Sequence, residues 1–204
     1  MNSILSDLTI GITVFVATNI DDIFLLAAFF ANPQVRQRSI VAGQFLGIGI
    51  LTLVSALAAY FALALPEGWV ALLGLVPLLL GVRALLELRT DDAEDDEIDA
   101  QRNLRADGPG WGVQAMAVAS VTIANGGDNI GVYVPLFTNA SVNAIVIYTL
   151  VFAVLTGVWC VLGRALVSHP VLGGAIKRYG HLALPFVLIA LGLYILSGAL
   201  ALLS

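Results

Sequence analysis

The sequence predicts an all-α membrane protein: six transmembrane helices arranged as two inverted three-helix repeats. Three observations predict it. Hydrophobic residues make up 59% of the 204 positions and charged residues only 11%, against about 25% charged in a soluble domain. All nine Lys and Arg fall in alternate links between apolar runs. And the acidic stretch Ala17-Thr18-Asn19-Ile20-Asp21-Asp22, inside one apolar run, has an echo in Ala124-Asn125-Gly126-Gly127-Asp128-Asn129 inside another.

The bilayer core takes about 20 apolar residues per helix. Six runs meet that length, at roughly 6–30, 39–64, 69–88, 112–138, 141–165 and 181–203. The links are Asn32–Arg38, Pro66–Gly68, Leu88–Trp111, a tight Asn139–Ala140 turn, and Val167–Gly180. The chain therefore divides into a first three-helix unit (1–88), an acidic loop (89–111) and a second three-helix unit (112–204). No secretory signal is read at the start, since the first run has no basic flank, is too long and carries acids.

The basic residues set the orientation. Arg36 and Arg38 stand at the first link; Arg83, Arg89, Arg102 and Arg105 in or beside the third; Arg164, Lys177 and Arg178 in or beside the fifth. The second and fourth links and both ends have none. Positive residues are retained on the cytoplasmic side, which puts those three links inside, both termini outside, and the protein in the cell's inner (plasma) membrane. The pattern also supports an even number of helices, since a five-helix count would scatter the charges onto both sides.

Moving the first half by 107 positions lays Thr18 on Asn125, Asp21 on Asp128, Asp22 on Asn129, Ile23 on Ile130, Phe30 on Phe137 and Asn32 on Asn139. The third helices correspond more loosely, Gly74-Leu75-Val76-Pro77 facing Leu182-Ala183-Leu184-Pro185. With three spans in each half, the second is inverted relative to the first, a plan in which substrate sites form at the midplane between the halves.

Of the 14 acids, only Asp21, Asp22 and Asp128 lie deep in apolar sequence. Each costs roughly 2.5–3.5 kcal/mol at a helix centre on insertion scales, so the default reading of such a group is functional. Thr18, Asp21 and Asp22 are spaced i, i+3, i+4, as are Asn125, Asp128 and Asn129, which places each trio on one helical face. Gly126-Gly127 weakens the fourth helix, and Pro135 leaves the Gly131 carbonyl without its usual donor. Asp21, Asp22 and Asp128 are expected to bind a cation with Asn19, Asn125 and Asn129 completing its shell, and Thr18, Gln44, Gly126 and Gly127 stand behind them. The competing structural reading is a neutral, hydrogen-bonded cluster joining helices 1 and 4, for which an apolar or Ser/Thr seam would be cheaper.

Other features read as structural. Gly43-x-x-x-Gly47 is a packing stripe, and Gln44 within it serves either the site or a helix-to-helix hydrogen bond. The acidic run Asp91–Asp99, with seven of the acids, is a solvated linker that could also gather cations. Trp69, Trp111 and Tyr179 near segment ends are interfacial anchors, and Cys160 is a small buried apolar residue. One cysteine excludes an internal disulfide and any cysteine-cluster metal site; His169 and His181 have no metal-ligand spacing around them. No cofactor and no nucleic-acid partner is expected, the partners being the cation, protons and the lipid bilayer, with a homo-oligomer left open.

At these motifs the chain resembles the cadmium-resistance transporter family of the lysine-exporter superfamily. The resemblance rests on Asn19-Ile20-Asp21-Asp22, Gly43-Gln44-Phe45-Leu46-Gly47, the stretch from Ala124 to Tyr133, and Pro185 with Gly192-Leu193-Tyr194-Ile195. It covers nearly the whole chain apart from the central loop, and it implies efflux of a divalent cation; related members of the superfamily move manganese, calcium or amino acids. Carboxylate and amide oxygens by themselves suit Mg²⁺, Mn²⁺ or Ca²⁺, while soft cations prefer thiolate. Two other readings stand beside transport of a metal. An amino-acid exporter would want a cationic or helix-end partner for the substrate carboxylate, and no Lys or Arg lies at the midplane. An intramembrane aspartyl protease would need two aspartates sharing a proton, and Asn125 stands where that class has the first glycine of its Gly-x-Gly-Asp element.

Overall fold

The structure, a computed structural model, describes residues 2–64, 72–87, 110–168 and 185–197. They form eight helices: α1 (Asn2–Thr18), α2 (Asp22–Ala31), α3 (Gln37–Ala62), α4 (Leu75–Glu87), α5 (Trp111–Asn125), α6 (Gly127–Thr138), α7 (Val142–Ser168) and α8 (Pro185–Ser197). There is no strand among the described residues. The acidic run 91–99, Trp69, Tyr179 and both histidines lie outside them.

By length and composition α3 and α7 can each cross a membrane, and α1 with α2, bent by 58° at the break between them, makes a third if the pair is one span. The described parts of α4 and α8 are shorter, and the rest of the third and sixth expected runs lies outside the described residues. The run 6–30 is thus not the single helix that its hydropathy predicts. Thr18, Asn19, Ile20, Asp21 and Asp22 are all modest helix formers, and the Asn19 amide competes for the backbone by donating to the Phe15 carbonyl at 2.9 Å. The Asn19 carbonyl, which a continuous helix would give to residue 23, accepts the Trp159 indole N–H instead. The run 112–138 also divides, at Gly126.

Each long helix packs on the broken helix of the other half: α3 on α5 and α6, α7 on α1 and α2. The contacts fix their directions. Gly43 of α3 meets Ala115 and Val118 of α5, and Gly47 meets Ala119 and Thr122, so α3 and α5 run parallel. Gly11 of α1 meets Tyr148 and Val151 of α7, while Gly163 meets Leu26 and Ala27 of α2, so that pair is parallel as well. By contrast α4 and α8 are antiparallel, Gly74 lying against Ile195 and Gly81 against Ile189. Phe15, Tyr133, Phe137, Tyr148, Phe152 and Trp159 stack between α1, α6 and α7 as an aromatic core.

The glycine stripe on α3 behaves as a packing device. A Cβ on Gly43 would stand 2.5 Å from the Ala115 carbonyl oxygen, whereas one on Gly49 meets nothing within 4 Å. Backbone cannot yield as a flexible side chain can, and overpacking typically costs about 1–3 kcal/mol. Gly43→Ala is expected to lower the thermal midpoint of the detergent-solubilised protein and Gly49→Ala to leave it unchanged.

Candidate functional site

The two helix breaks face each other, and the polar residues of both halves meet there. Asp21 precedes α2 and Asp22 opens it; Asp128 stands in the first turn of α6. At these ends a carboxylate complements the positive pole of the helix dipole. The convergence therefore comes from the breaks, not from one continuous helical face as the i, i+3, i+4 spacing suggests.

The buried part of the site is a closed relay. Asp22 is only 2% exposed. Its Oδ2 accepts from Gln44 Nε2 at 2.9 Å and its Oδ1 from Asn125 Nδ2 at 3.0 Å. Gln44 Oε1 in turn accepts from the Thr122 hydroxyl at 2.7 Å. Gln44 thus does both things the sequence offered for it: it touches the site and it joins α3 to α5. Because a carboxylate only accepts, the amide presents its nitrogen to Asp22, and its oxygen is left for the Thr122 hydroxyl.

A second relay lies beside the first. Asn19, fully buried, donates through Nδ2 to Thr18 Oγ1 at 2.8 Å and to Tyr133 Oη at 2.8 Å, besides the Phe15 carbonyl. With its nitrogen so held, Oδ1 faces the other half and accepts from Asn129 Nδ2 at 3.0 Å. Asn129 Oδ1 is left buried without a hydrogen-bond partner. An orphaned carbonyl oxygen of this kind costs roughly 1–3 kcal/mol unless a donor or a cation takes it.

The open part holds Asp21, Asn125 and Asp128, of which Asn125 is exposed and both acids are partly so. Asn125 Nδ2 bridges the two carboxylates of the first half, at 3.0 Å from Asp21 Oδ2 as well as from Asp22 Oδ1. Asp128 Oδ1 accepts the Asn129 backbone N–H at 2.9 Å, and Asp21 lies within Coulombic reach of both other acids. Among the described residues no three His, Cys, Asp or Glu side chains stand close enough together to hold a metal ion. The three aspartates share a neighbourhood without forming a closed cage.

Of the supporting residues, Thr18 and Gln44 are within the network, while Gly126 supplies the break, lying against Leu51 of α3, and Gly127 opens α6. Three further residues were given no role in the sequence: Thr122, Trp159, and Tyr133, which only closed the Ala124–Tyr133 motif. Tyr133 stands four residues after Asn129 and Thr122 three before Asn125, the same helical spacing that marks the acids. Trp159 carried only the general signal that a buried indole N–H needs a partner.

The profile of the cadmium resistance transporter family matches residues 15–202. The chain belongs to the cadmium resistance transporter family. That is a family of transporters, not of enzymes, and with the long apolar helices it marks a membrane protein. No curated protein sequence and no solved structure matches the chain. The match spans both helix breaks, so every residue of the two relays lies inside the family region of this cadmium resistance transporter homologue.

Proposed function

We propose that this member of the cadmium resistance transporter family exports a divalent cation, cadmium or one of its size, across the plasma membrane in exchange for protons. The carrying observation is the meeting of carboxylates and amides from both halves at two facing helix breaks, the place where broken-helix transporters bind their ions. On this reading Asp21, Asp22 and Asp128 take the cation, and the orphaned Asn129 Oδ1 joins them. Cadmium is about the size of calcium and accepts oxygen ligands, so a site without sulfur suits a cargo that has to be released.

The packing pairs support two inverted three-helix repeats. If the second half is the first turned over, helices 1, 2 and 3 correspond to 4, 5 and 6, so the packing of helix 1 on helix 5 recurs as that of helix 4 on helix 2, and helix 3 packs on its own counterpart, helix 6. That is the pattern of α1 with α7, α3 with α5, and α4 with α8. An amino-acid exporter of the same superfamily is the weaker reading. The helix ends that would receive a substrate carboxylate are already occupied by the protein's own acids.

The test is a panel of Cd²⁺, Mn²⁺, Ca²⁺, Zn²⁺ and lysine in proteoliposomes, with and without a pH gradient. PH-driven flux of a divalent cation and none of lysine is expected; the reverse would overturn the reading. Topology is checked separately. Single cysteines at Ser3 and Ser204, in a Cys160→Ala background, should react with an impermeant reagent in intact cells, and labelling of either only after permeabilisation would exclude six spans with both ends outside.

A further inference from the structure

We propose that Asn125 competes with the transported cation for the Asp21 and Asp22 carboxylates, its amide N–H pair and the cation holding the same two oxygens in turn. This rests on the cation-site reading above and adds to it how the site lets go.

The geometry carries the inference. An amide nitrogen has two hydrogens, and Asn125 Nδ2 spends them on oxygens of two different carboxylates, each 3.0 Å away. Chemistry dictates which end of the amide points there, since its oxygen would repel both. The nitrogen thus stands where a bridging cation would stand. Calcium-sized cations bind oxygen at about 2.3–2.6 Å, so each carboxylate would need to close by only about half an ångström once the amide has left. Charge-assisted hydrogen bonds are the strong kind, so loading the cation gives up two of them.

The surroundings say which group moves. Gln44 and Thr122 are each 1% exposed, and the Gln44 amide is held at both ends, so Asp22 keeps that partner in either arrangement. Asn125 is exposed. It is the last residue of α5 and is followed by Gly126, whose backbone (φ −83°, ψ 24°) has left the helix. A small swing at that break takes the amide out of the site. An ion pathway needs sites that bind well enough to load and weakly enough to release. A returning amide supplies the second requirement without a new charge.

The test measures Cd²⁺ binding and proteoliposome turnover by the full-length protein and three variants. Asn125→Ala and Asn125→Leu both delete the competing donor at an exposed position, the second at nearly unchanged size. Each is expected to bind Cd²⁺ about tenfold more tightly, the scale set by losing hydrogen bonds to a charged group, and to turn over more slowly at saturation. Unchanged or weaker affinity in a folded variant would overturn the proposal, and weaker affinity would make Asn125 an oxygen ligand instead. Asp21→Asn separates the two levels: it should weaken binding severely, and wild-type binding by it would bring down the site reading and this inference together. Loss of binding in Asp21→Asn with no gain in the Asn125 variants would bring down this inference alone.

Discussion

Asp21→Asn and Asp128→Asn should each abolish pH-driven cation transport while leaving the chain folded. Both keep the side chain's size and one oxygen and remove one negative charge. On the proposed exchange the three neighbouring acids hold protons and the cation in turn: the two positive charges of a divalent cation would expel protons, and their return from outside would release it. Metal binding by the wild type should then acidify a weakly buffered solution, and each amide variant should release fewer protons per cation. Transport should fall by roughly a hundredfold or more, since removing even an outer-shell partner of a ligand typically costs 10–100-fold. Wild-type pH-coupled flux from either variant would end the exchange mechanism. The internal repeat suggests that Asp22→Asn would be milder, because Asp22 aligns with Asn129. The structure removes that reason, since both Asp22 oxygens accept N–H donors and an amide there would set its own NH₂ against one of them.

What the sequence made legible follows from how unusual each residue is in its setting. Acids and amides in apolar runs have few structural excuses, so Asp21, Asp22, Asn125 and Asn129 stood out, and the structure brings them to one place. The break at Gly126 was legible because glycine is a poor helix former. The longer break at Asn19–Asp21 was not, because it has neither Gly nor Pro; it is held open by the tertiary partners Trp159 and Tyr133, which no local pattern reports. Tyr133 and Trp159 escaped notice because an aromatic residue in an apolar run reads as core, and core is what their rings are. Only their single polar atoms serve the relay. Gln44 was half-legible: polarity between two packing glycines marked it, but Thr122, which receives the oxygen end of its amide, looks like any threonine in a membrane helix.

Asn19→Ala should be the most destabilising change in the site. The Asn19 side chain is the joint between the halves: its nitrogen is held by Phe15, Thr18 and Tyr133, and its oxygen holds Asn129. Truncation strips Asn129 Nδ2 of its acceptor and leaves a small cavity, while Asn129 Oδ1 is without a donor before and after. The newly unpaired group costs about 1–3 kcal/mol and the cavity adds to it, so a loss of roughly 2–4 kcal/mol is expected, a large part of the 5–15 kcal/mol that typical domains possess. Tyr133→Phe isolates one strand of the same network. It removes one of three acceptors for the Asn19 nitrogen, which has two hydrogens to place, and so should cost under about 1 kcal/mol. Thermal midpoints of the two detergent-solubilised variants measure the difference. If Asn19→Ala melts with the wild type, the relay does not join the halves, and Asn129 takes its orientation from somewhere else.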